Sequence, residues 1–468
     1  MEEDLIQISS RLKSSNQESS ALSNTTKSQK PGVYIKTFGC QMNQYDSDKI
    51  LKIVSDRYAP VEDPTQAKLI IVNTCSVRDK AEKKLYSLLG QLKEIKDEKE
   101  GVLIGVGGCV AQQEGEQILK RSKAVDFVFG THNLSLVPNL IDRRLEGFGR
   151  QAAVNYRDEW EDIPAEFVES KSSVFVSISR GCNKNCTYCI VPTTRGKEVS
   201  RAMSEILKET RIAAHRGARE ITLLGQTVNS YGLDLNPKIS FVQLLDEISK
   251  IDGIERIRFI SPHPQEIRAD FVDLVCSNPK IAHHVHMPLQ SGSDRILKAM
   301  NRNYRRKRYL QIIEQIRSRV PDMAITTDVI IGFPGETEQD FQETMEILNS
   351  VRFDHSYSFV FSPRPGTVAA TLTDDTPTSE KLDRLYRYQT RQNEIAAEVR
   401  NSWLHKEVEV LIDGPSSADP QIMSGRSSQN IGVNLDKHYP DIKPGSLVKV
   451  RIEDTGRYNL KGTIVSSA

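Results

Sequence analysis

The sequence predicts an α/β protein in three successive parts: a doubly wound parallel sheet, a partial (β/α)6 barrel and a small β-barrel. Short apolar runs alternate with longer amphipathic stretches over residues 32–149, and the same strand–helix alternation recurs six times over residues 168–398. Residues 401–466 instead alternate apolar and polar side chains between turn signals. Strands separated by helices form parallel sheets, whereas short strands in succession form small barrels.

The composition indicates an ordinary water-soluble chain. Lys and Arg number 63 against 62 Asp and Glu, a formal net charge of +1, so any contact with nucleic acid must come from local basic patches. Residues 1–31 are rich in Ser, Asn and Gln and lack the basic start and apolar middle of a secretory signal. We expect a disordered extension there, and a cytoplasmic protein without a membrane partner.

Cysteines follow the predicted strands of the first part. The strands are the short Val-, Ile- or Phe-rich runs Val33–Phe38, Leu69–Val72, Val102–Val106 and Phe127–Phe129. Cys40, Cys75 and Cys109 come just after the first three. Because parallel strands end at one edge of a sheet, where ligands bind, we expect the three thiols to converge. The alternative is three unrelated buried cysteines, since cysteine is a common small core residue.

The second part places its polar and Gly/Pro-rich stretches after its strands. The predicted strands are Val174–Ser179, Ile221–Leu224, Ile257–Ile260, His284–Pro288, Ala324–Ile331 and Tyr357–Phe361. The stretches that follow them would lie at the C-terminal mouth of the barrel, which carries the active site in barrels of this type. The third part has its candidate strands at Val408–Leu411, Ile431–Leu435, Leu447–Ile452 and Gly462–Val465.

A loop after the first barrel strand carries the spacing C-x3-C-x2-C, formed by Cys182, Cys186 and Cys189. Thiolates spaced closely on a loop hold iron–sulfur clusters. Three thiolates leave one iron of a 4Fe–4S cluster open, and that iron can chelate the amine and carboxylate of S-adenosylmethionine (SAM). Zinc is the alternative, but structural zinc takes four protein ligands and no nearby His or Cys supplies a fourth. A disulfide framework is not expected from seven cysteines in a long, apparently intracellular chain.

This loop resembles the cluster loop of radical SAM enzymes, which implies reductive cleavage of SAM to a 5′-deoxyadenosyl radical. From residue 32 onward the chain resembles one subfamily, the radical SAM methylthiotransferases. Residues 37–47, 73–78 and 107–109 resemble three motifs of its N-terminal domain, and residues 424–430 resemble the start of the RNA-binding TRAM domain.

The resemblance implies two 4Fe–4S clusters and a site for SAM. Cys40, Cys75 and Cys109 would hold an auxiliary cluster whose open iron carries the sulfur, and Cys182, Cys186 and Cys189 the SAM-chelating cluster. The clusters and SAM would carry the chemistry, so no side chain is assigned a catalytic role. Candidate SAM contacts are Tyr188, Gln226, Asn229, Ser291, Ile330 and Gly332. Barrel structure and tight turns are the alternative role for these residues.

Residues 39–43, 75–78 and 192–196 resemble the branch that acts on isopentenyladenosine beside the tRNA anticodon, with mild departures at Thr193, Ser261 and Ser427. The branch implies that one SAM methylates the sulfur and a second yields the radical that removes hydrogen from carbon 2 of adenine. It also implies the tRNA anticodon stem-loop and an electron donor such as flavodoxin or ferredoxin as partners of a monomer. The alternatives are a threonylcarbamoyl-adenosine or ribosomal-protein substrate, or a non-catalytic iron–sulfur sensor that binds RNA.

Two basic groups and one histidine group allow two interpretations each. The arginines in residues 302–308, and Arg384, Arg387 and Arg391 at helical spacing, predict either phosphate contacts or solvated helix faces. Strand alternation places His284 and His286 on one face, which favours lining of the barrel over a metal site. Cys276 matches no cluster motif, so we expect a structural role.

Overall fold

The computed structural model describes residues 30–76, 80–157, 160, 161, 163 and 171–467. Most of the predicted extension, residues 1–31, therefore lies outside the described residues, as do Val77 and Arg78 of the second cysteine motif. The chain divides into two compact units: the first ends at Arg157 and also holds Glu161 and Ile163, and the second holds Trp160 and the described residues from 171 onward.

The first unit is the predicted parallel sheet, with strand order β2-β1-β3-β4-β5-β6. The strands are β1 (Gly32–Thr37), β2 (Ala59–Pro60), β3 (Ala67–Thr74), β4 (Leu103–Gly108), β5 (Phe127–Phe129) and β6 (Gln151–Ala153). The helices are α1 (Gln41–Val54), α2 (Lys80–Glu98), α3 (Cys109–Glu114), α4 (Glu116–Arg121) and α5 (Val137–Leu145). Apolar clusters form on both faces of the sheet. The direction of winding reverses between β1 and β3, and such a switch point is where open α/β sheets bind ligands.

The second unit begins with six parallel strands in the order β7-β10-β11-β12-β13-β14, and the bridge between Ile257 and Ile281 joins its two halves. These strands are β7 (Ser173–Ser177), β10 (Glu220–Leu224), β11 (Arg256–Phe259), β12 (His284–His286), β13 (Ala324–Ile331) and β14 (His355–Val360), with the short hairpin β8 (Ser179–Arg180) and β9 (Val199–Ser200) beside them. The helices are α6 (Val191–Arg195), α7 (Met203–His215), α8 (Phe241–Ser249), α9 (Ala269–Ser277), α10 (Asp294–Ala299), α11 (Arg306–Arg317), α12 (Glu338–Val351) and α13 (Thr378–Asn401). This confirms the partial (β/α)6 barrel.

The two faces of the barrel strands differ in chemistry. Outward residues such as Val176, Leu223 and Val329 pack beneath the helices in one large apolar cluster. The inner face is polar: the Thr326 hydroxyl lies 2.9 Å from His284 Nε2 and 3.0 Å from His286 Nδ1. The two histidines therefore line the barrel interior, which is not packed with apolar side chains as in a complete eight-stranded barrel.

The chain ends in a closed five-stranded barrel with the order β15-β16-β17-β19-β18. Its strands are β15 (Glu407–Pro415), β16 (Met423–Ser427), β17 (Gly432–Leu435), β18 (Leu447–Thr455) and β19 (Asn459–Ser467). The sequence did not predict β16, because its residues lack apolar alternation; pairing with β15 and β17 holds it in place. Within the described ranges, no helix has the length and apolarity to cross a bilayer.

Buried arginines join this small barrel to the six-stranded barrel, which explains why both fall in one unit. The Arg258 guanidinium donates to the carbonyls of Ser427 and Ser428 at 2.6 and 3.0 Å, and Arg256 donates to the carbonyl of Arg426 at 2.9 Å. Burial alone would raise the pKa of the neighbouring Glu220, but the two arginines outweigh it and hold that pKa below its usual range. Residues 424–430, which resemble the start of the TRAM domain, thus contact the six-stranded barrel through backbone carbonyls.

Candidate metal centres and ligand site

The first three cysteines follow strand ends that share one edge of the N-terminal sheet. Asn73 is in register with Gly107, and Thr74 with Gly108, so Cys75 and Cys109 each follow directly on that edge. Cys40 is the N-cap residue of α1, and it follows Gly39, which lies two residues after the end of β1. The Phe38 N–H donates to the Asn73 carbonyl at 2.8 Å. The register therefore brings the three cysteine loops to one edge, as the sequence predicted.

Two glycines allow these loops to approach each other closely. A Cβ at Gly39 (φ +114°) would lie 2.8 Å from Cys75 Sγ, and one at Gly108 (φ +92°) would lie 2.3 Å from the Thr74 carbonyl oxygen. Both positions combine a backbone conformation that favours glycine with a space that a side chain would fill. The Cys40 loop therefore lies against Cys75, and the Cys109 loop against the end of β3.

Two buried asparagines tie the same loops together. Asn43 donates through Nδ2 to the carbonyls of Phe38 at 2.8 Å and Thr74 at 2.7 Å. Asn73 donates to the Asn43 carbonyl at 2.8 Å and to Ser47 Oγ at 2.9 Å. Both side chains are almost fully buried, and a buried amide holds its partners because an unsatisfied acceptor is costly. No sequence pattern predicted this role, although Asn43 lies in residues 37–47 and Asn73 in residues 73–78.

The C-x3-C-x2-C loop is anchored on several sides in the second unit. Thr187 donates to the carbonyl of Met300 through its N–H at 3.1 Å and to that of Ala299 through its hydroxyl at 3.0 Å. The Ala369 N–H donates in turn to the Thr187 carbonyl at 2.8 Å. Lys184 forms an ion pair with Glu266. A loop held by so many contacts presents its thiols in a fixed arrangement.

Donor groups lie beside the thiols of this loop. Cys182 Sγ accepts from Lys184 N–H at 3.4 Å and lies 3.5 Å from Thr227 Oγ1. Cys186 Sγ accepts from the Arg302 guanidinium at 3.5 Å. Donors of this kind stabilise a thiolate and tune the metal that it binds.

Burial opposes the ionisation of Cys182 and Cys189. Burial raises the pKa of Cys182, and it raises the pKa of Cys189 to about 12, although Arg302 lowers it in part. A desolvated thiol stays protonated near pH 7 unless a cation takes the proton's place. The loop is therefore suited to thiolates that are bound to metal, with Arg302 as a fixed positive charge.

Arg302 corrects one interpretation of the basic run. It is 6% exposed, so it is neither a phosphate contact nor part of a solvated helix face. Arg384 is also buried and bonds to Glu336 and Glu380, while Arg387 pairs with Glu338. Arg302 lies in the loop between α10 and α11, where its guanidinium donates to Tyr304 Oη and to the Pro288 carbonyl at 3.2 Å each.

The candidate SAM contacts fall into three groups. Tyr188 and Ile330 pack against one apolar cluster that also includes Met300, Phe333 and Phe361. A site flanked by this cluster suits an apolar or aromatic part of a ligand.

The loop after β10 holds two more of the candidates. Gln226 Oε1 is buried and has no hydrogen-bond partner among the described residues. Asn229 bonds instead to the backbone of His263, accepting at 2.8 Å and donating at 3.0 Å. Gln226 is therefore available to a ligand, whereas the Asn229 amide positions the loop.

The last two candidates lie at turns. Ser291 is fully buried and its Oγ accepts from Ser293 N–H at 3.2 Å. Gly332 has φ +70°, and a Cβ there would lie 2.5 Å from the Lys381 side chain. Both residues lie in the segments that follow β12 and β13, where they fix the turns.

The residues present fit 4Fe–4S clusters and SAM. Each cysteine group has three thiols on segments that hydrogen bonds hold in place. All seven cysteines are described, and none of them forms a disulfide. Among the described residues no three His, Cys, Asp or Glu side chains lie close enough to bind a single ion, but a cubane cluster does not require this because each thiolate binds a different iron. The buried and unpartnered Gln226 oxygen fits a polar ligand at the mouth.

Two family models match the chain. The "Radical SAM superfamily" model matches residues 176–348, and the "Uncharacterized protein family UPF0004" model matches residues 32–130. Among solved structures, the chain is similar to a radical S-adenosylmethionine methyltransferase from Kitasatospora setae, with TM-score 0.54 and 13% identity over 73% of this chain and 77% of that one. At this identity the likeness shows the fold alone.

Full-length relatives decide the family. The chain is 46% identical to the tRNA-2-methylthio-N(6)-dimethylallyladenosine synthase of Acidovorax sp. (strain JS42), over 92% of this chain and 97% of that protein. It is 43% identical to the protein of the same name from Burkholderia thailandensis, with the same coverage. The chain belongs to the tRNA-2-methylthio-N(6)-dimethylallyladenosine synthase family of radical SAM enzymes. Members of this synthase family use SAM and two 4Fe–4S clusters.

We expect substitution of Asn43 to loosen the first cysteine group. Asn43→Leu leaves two carbonyl oxygens without their donor, at a cost of about 1–3 kcal/mol each. In the metal-free protein, Cys75 is 2% exposed and should react with a thiol reagent at least about tenfold faster in this variant, because 1.4 kcal/mol of easier opening is tenfold in rate. Mass spectrometry of the labelled peptide measures this rate. Gln44→Leu, at the exposed neighbouring position, is the matched control, and equal rates in both variants would contradict the role of Asn43.

Proposed function

We propose that this chain is a radical SAM tRNA methylthiotransferase that adds a methylthio group to carbon 2 of the isopentenylated adenosine adjacent to the anticodon. Two observations together carry this proposal. The chain is 46% identical to an enzyme of that name over 92% of its length, and it has two separate groups of three cysteines, one after the parallel strands β1, β3 and β4 and one between β8 and α6. One group suits a SAM-cleaving cluster and the other a sulfur carrier.

The proposal divides the work among the parts of the chain. Residues 32–149 would hold the auxiliary cluster through Cys40, Cys75 and Cys109, and residues 168–398 would hold the SAM-chelating cluster through Cys182, Cys186 and Cys189. When bound, the clusters and SAM supply an electron, a 5′-deoxyadenosyl radical and the methylthio sulfur. Residues 401–466 would hold RNA, and residues 1–31 have no assigned part.

The chain's own side chains would position and insulate this chemistry. Arg302 donates to Cys186 Sγ and the Lys184 N–H donates to Cys182 Sγ, and both bonds favour thiolates. Tyr188 and Ile330, with their apolar cluster, would exclude water beside the nucleoside of SAM. Gln226 would bond to a polar group of SAM, and Ser291, Asn229 and Gly332 would fix the loops around it.

The partners follow from the same proposal. The substrate would be the anticodon stem-loop of tRNA. The protein would act in the cytoplasm as a monomer. Because SAM cleavage consumes an electron, the chain also needs a one-electron donor of the flavodoxin or ferredoxin class.

Product analysis tests the activity. Anaerobically reconstituted and reduced protein, SAM and tRNA that carries isopentenyladenosine should yield 2-methylthio-isopentenyladenosine and 5′-deoxyadenosine by liquid chromatography with mass spectrometry. Product from threonylcarbamoyl-adenosine tRNA or from a ribosomal protein would assign another substrate. RNA binding with neither SAM cleavage nor product would instead identify an iron–sulfur sensor.

Iron counting tests the assignment of the two cysteine groups. Reconstituted protein should hold about eight irons per chain, and the triple variant Cys40→Ala, Cys75→Ala, Cys109→Ala about four, because each 4Fe–4S cluster contributes four. SAM cleavage should persist in the triple variant. Cys276→Ala, on α9 and outside both groups, is the control and should keep about eight. About four irons in both the wild type and the triple variant would remove the auxiliary cluster from the first unit.

A further inference from the structure

A pocket lies where α13 ends beside the turn that joins β18 and β19. Its volume is about 360 Å³, and its wall includes Arg400 and Asn401 of the helix, Arg457 and Tyr458 of the turn, and His355 at the start of β14. Thr455 Oγ1 donates to Asn401 Oδ1 at 2.7 Å and fixes the turn to the helix. The small barrel and the six-stranded barrel, which belong to one compact unit, therefore build this pocket together.

The chemistry of the pocket suits an anion attached to a flat ring. No Asp or Glu is among the described residues that line it, while two arginines are. Other arginines of α13 differ, since Arg387 pairs with Glu338 and Asp383. Tyr458 is 63% exposed, and the Arg457 guanidinium lies 5.1 Å from its ring centre. Arginine recognises phosphate, and an exposed aromatic ring stacks with an unpaired base.

An aromatic row leads from this pocket into the barrel. His355, Tyr357 and Phe359 alternate along β14 and so share one face. The opposite face packs on α13, where Ser356 Oγ lies 2.9 Å from Tyr388 Oη. Tyr357 and Phe359 are 52% and 53% exposed, which is unusual for large side chains on a barrel strand.

The row ends at the candidate SAM site. Phe359 is in register with Ile330 of β13, and Ile330 packs in the same cluster as Tyr188 of the cysteine loop. At the other end, the rings of His355 and Tyr357 are 4.6 Å apart, and His355 also lines the pocket. From His355 to Phe359 the strand covers about 13 Å.

We propose that the pocket binds a phosphate and an unpaired base of single-stranded RNA next to the nucleotide that enters the barrel along the β14 row. Arg400 and Arg457 take the phosphate, Tyr458 stacks on the flanking base, and Tyr357 and Phe359 receive the entering base. RNA is read mainly through such splayed, stacked bases. This inference rests on the proposed function and assigns the substrate's entry side to the end of the barrel opposite the cysteine loop.

The test measures binding of an isopentenylated anticodon stem-loop to the reconstituted full-length protein at several salt concentrations. The double variant Arg400→Ala, Arg457→Ala should bind at least about tenfold more weakly, and the slope of log affinity against log salt should fall by about 0.7, since the two arginines share one phosphate and one single-strand phosphate contact contributes about 0.7. Tyr458→Ala should bind at least about fivefold more weakly with an unchanged slope, and Tyr458→Phe should restore binding.

The control is the double variant Arg57→Ala, Arg319→Ala, which removes the same charge from exposed ion pairs with Asp142 and Asp273, outside residues 401–466. Iron content and unfolding temperature check that each variant is folded. If the Arg400→Ala, Arg457→Ala variant has the same affinity and salt slope as the control, the pocket does not bind RNA. The proposed function stands in that case if the wild type modifies the RNA. Failure of wild type to bind the stem-loop would overturn both.

Discussion

Parallel strands bring their carboxyl ends to one edge, and the arrangement of both cysteine groups depends on this geometry. In the first unit, β1, β3 and β4 deliver three cysteines from distant positions to one edge, at the switch point where the sheet reverses its winding. In the second, the loop between β8 and α6 carries all three cysteines itself, and neighbouring loops of the same barrel hold it by hydrogen bonds. The same geometric rule thus builds one site from long-range contacts and the other from a short motif.

Each site then needs buried polar groups that hold the loops without competing for the metal. Asn43 and Asn73 do so by bonding to backbone carbonyls, and Arg302 by placing a positive charge next to Cys186. Arg302 would also stabilise the negative charge of a cluster held by this loop, because a buried cation offsets that charge. On the surface, by contrast, exposed arginines of α13 such as Arg387 form ion pairs with carboxylates. The pocket lined by Arg400 and Arg457 differs, because no carboxylate is among the described residues that line it.

The fold, and the positions of Cys40, Cys75 and Cys109 just after strands, could be predicted from the sequence because buried strands depend on local patterns. The strand over residues 127–129 and the one over 324–331 match their predicted bounds, since strongly apolar runs form buried strands whatever surrounds them. Strand β16 was missed because pairing partners, not its own pattern, hold it. The inward turn of Arg302, the bonding of Asn229 to His263 and the pocket at the end of α13 arise from long-range packing, which a single sequence does not encode in any local pattern.

The measurement that tests the central claim most directly uses an anticodon stem-loop whose isopentenyladenosine carries deuterium at carbon 2. Reduced holoprotein and SAM should transfer that deuterium to 5′-deoxyadenosine, so that its mass rises by about one unit as the methylthio product forms, because the cofactor radical removes that hydrogen. Methylthio product accompanied by 5′-deoxyadenosine of unchanged mass would show that the hydrogen leaves by another route, and would contradict the account of the two clusters working on one carbon atom.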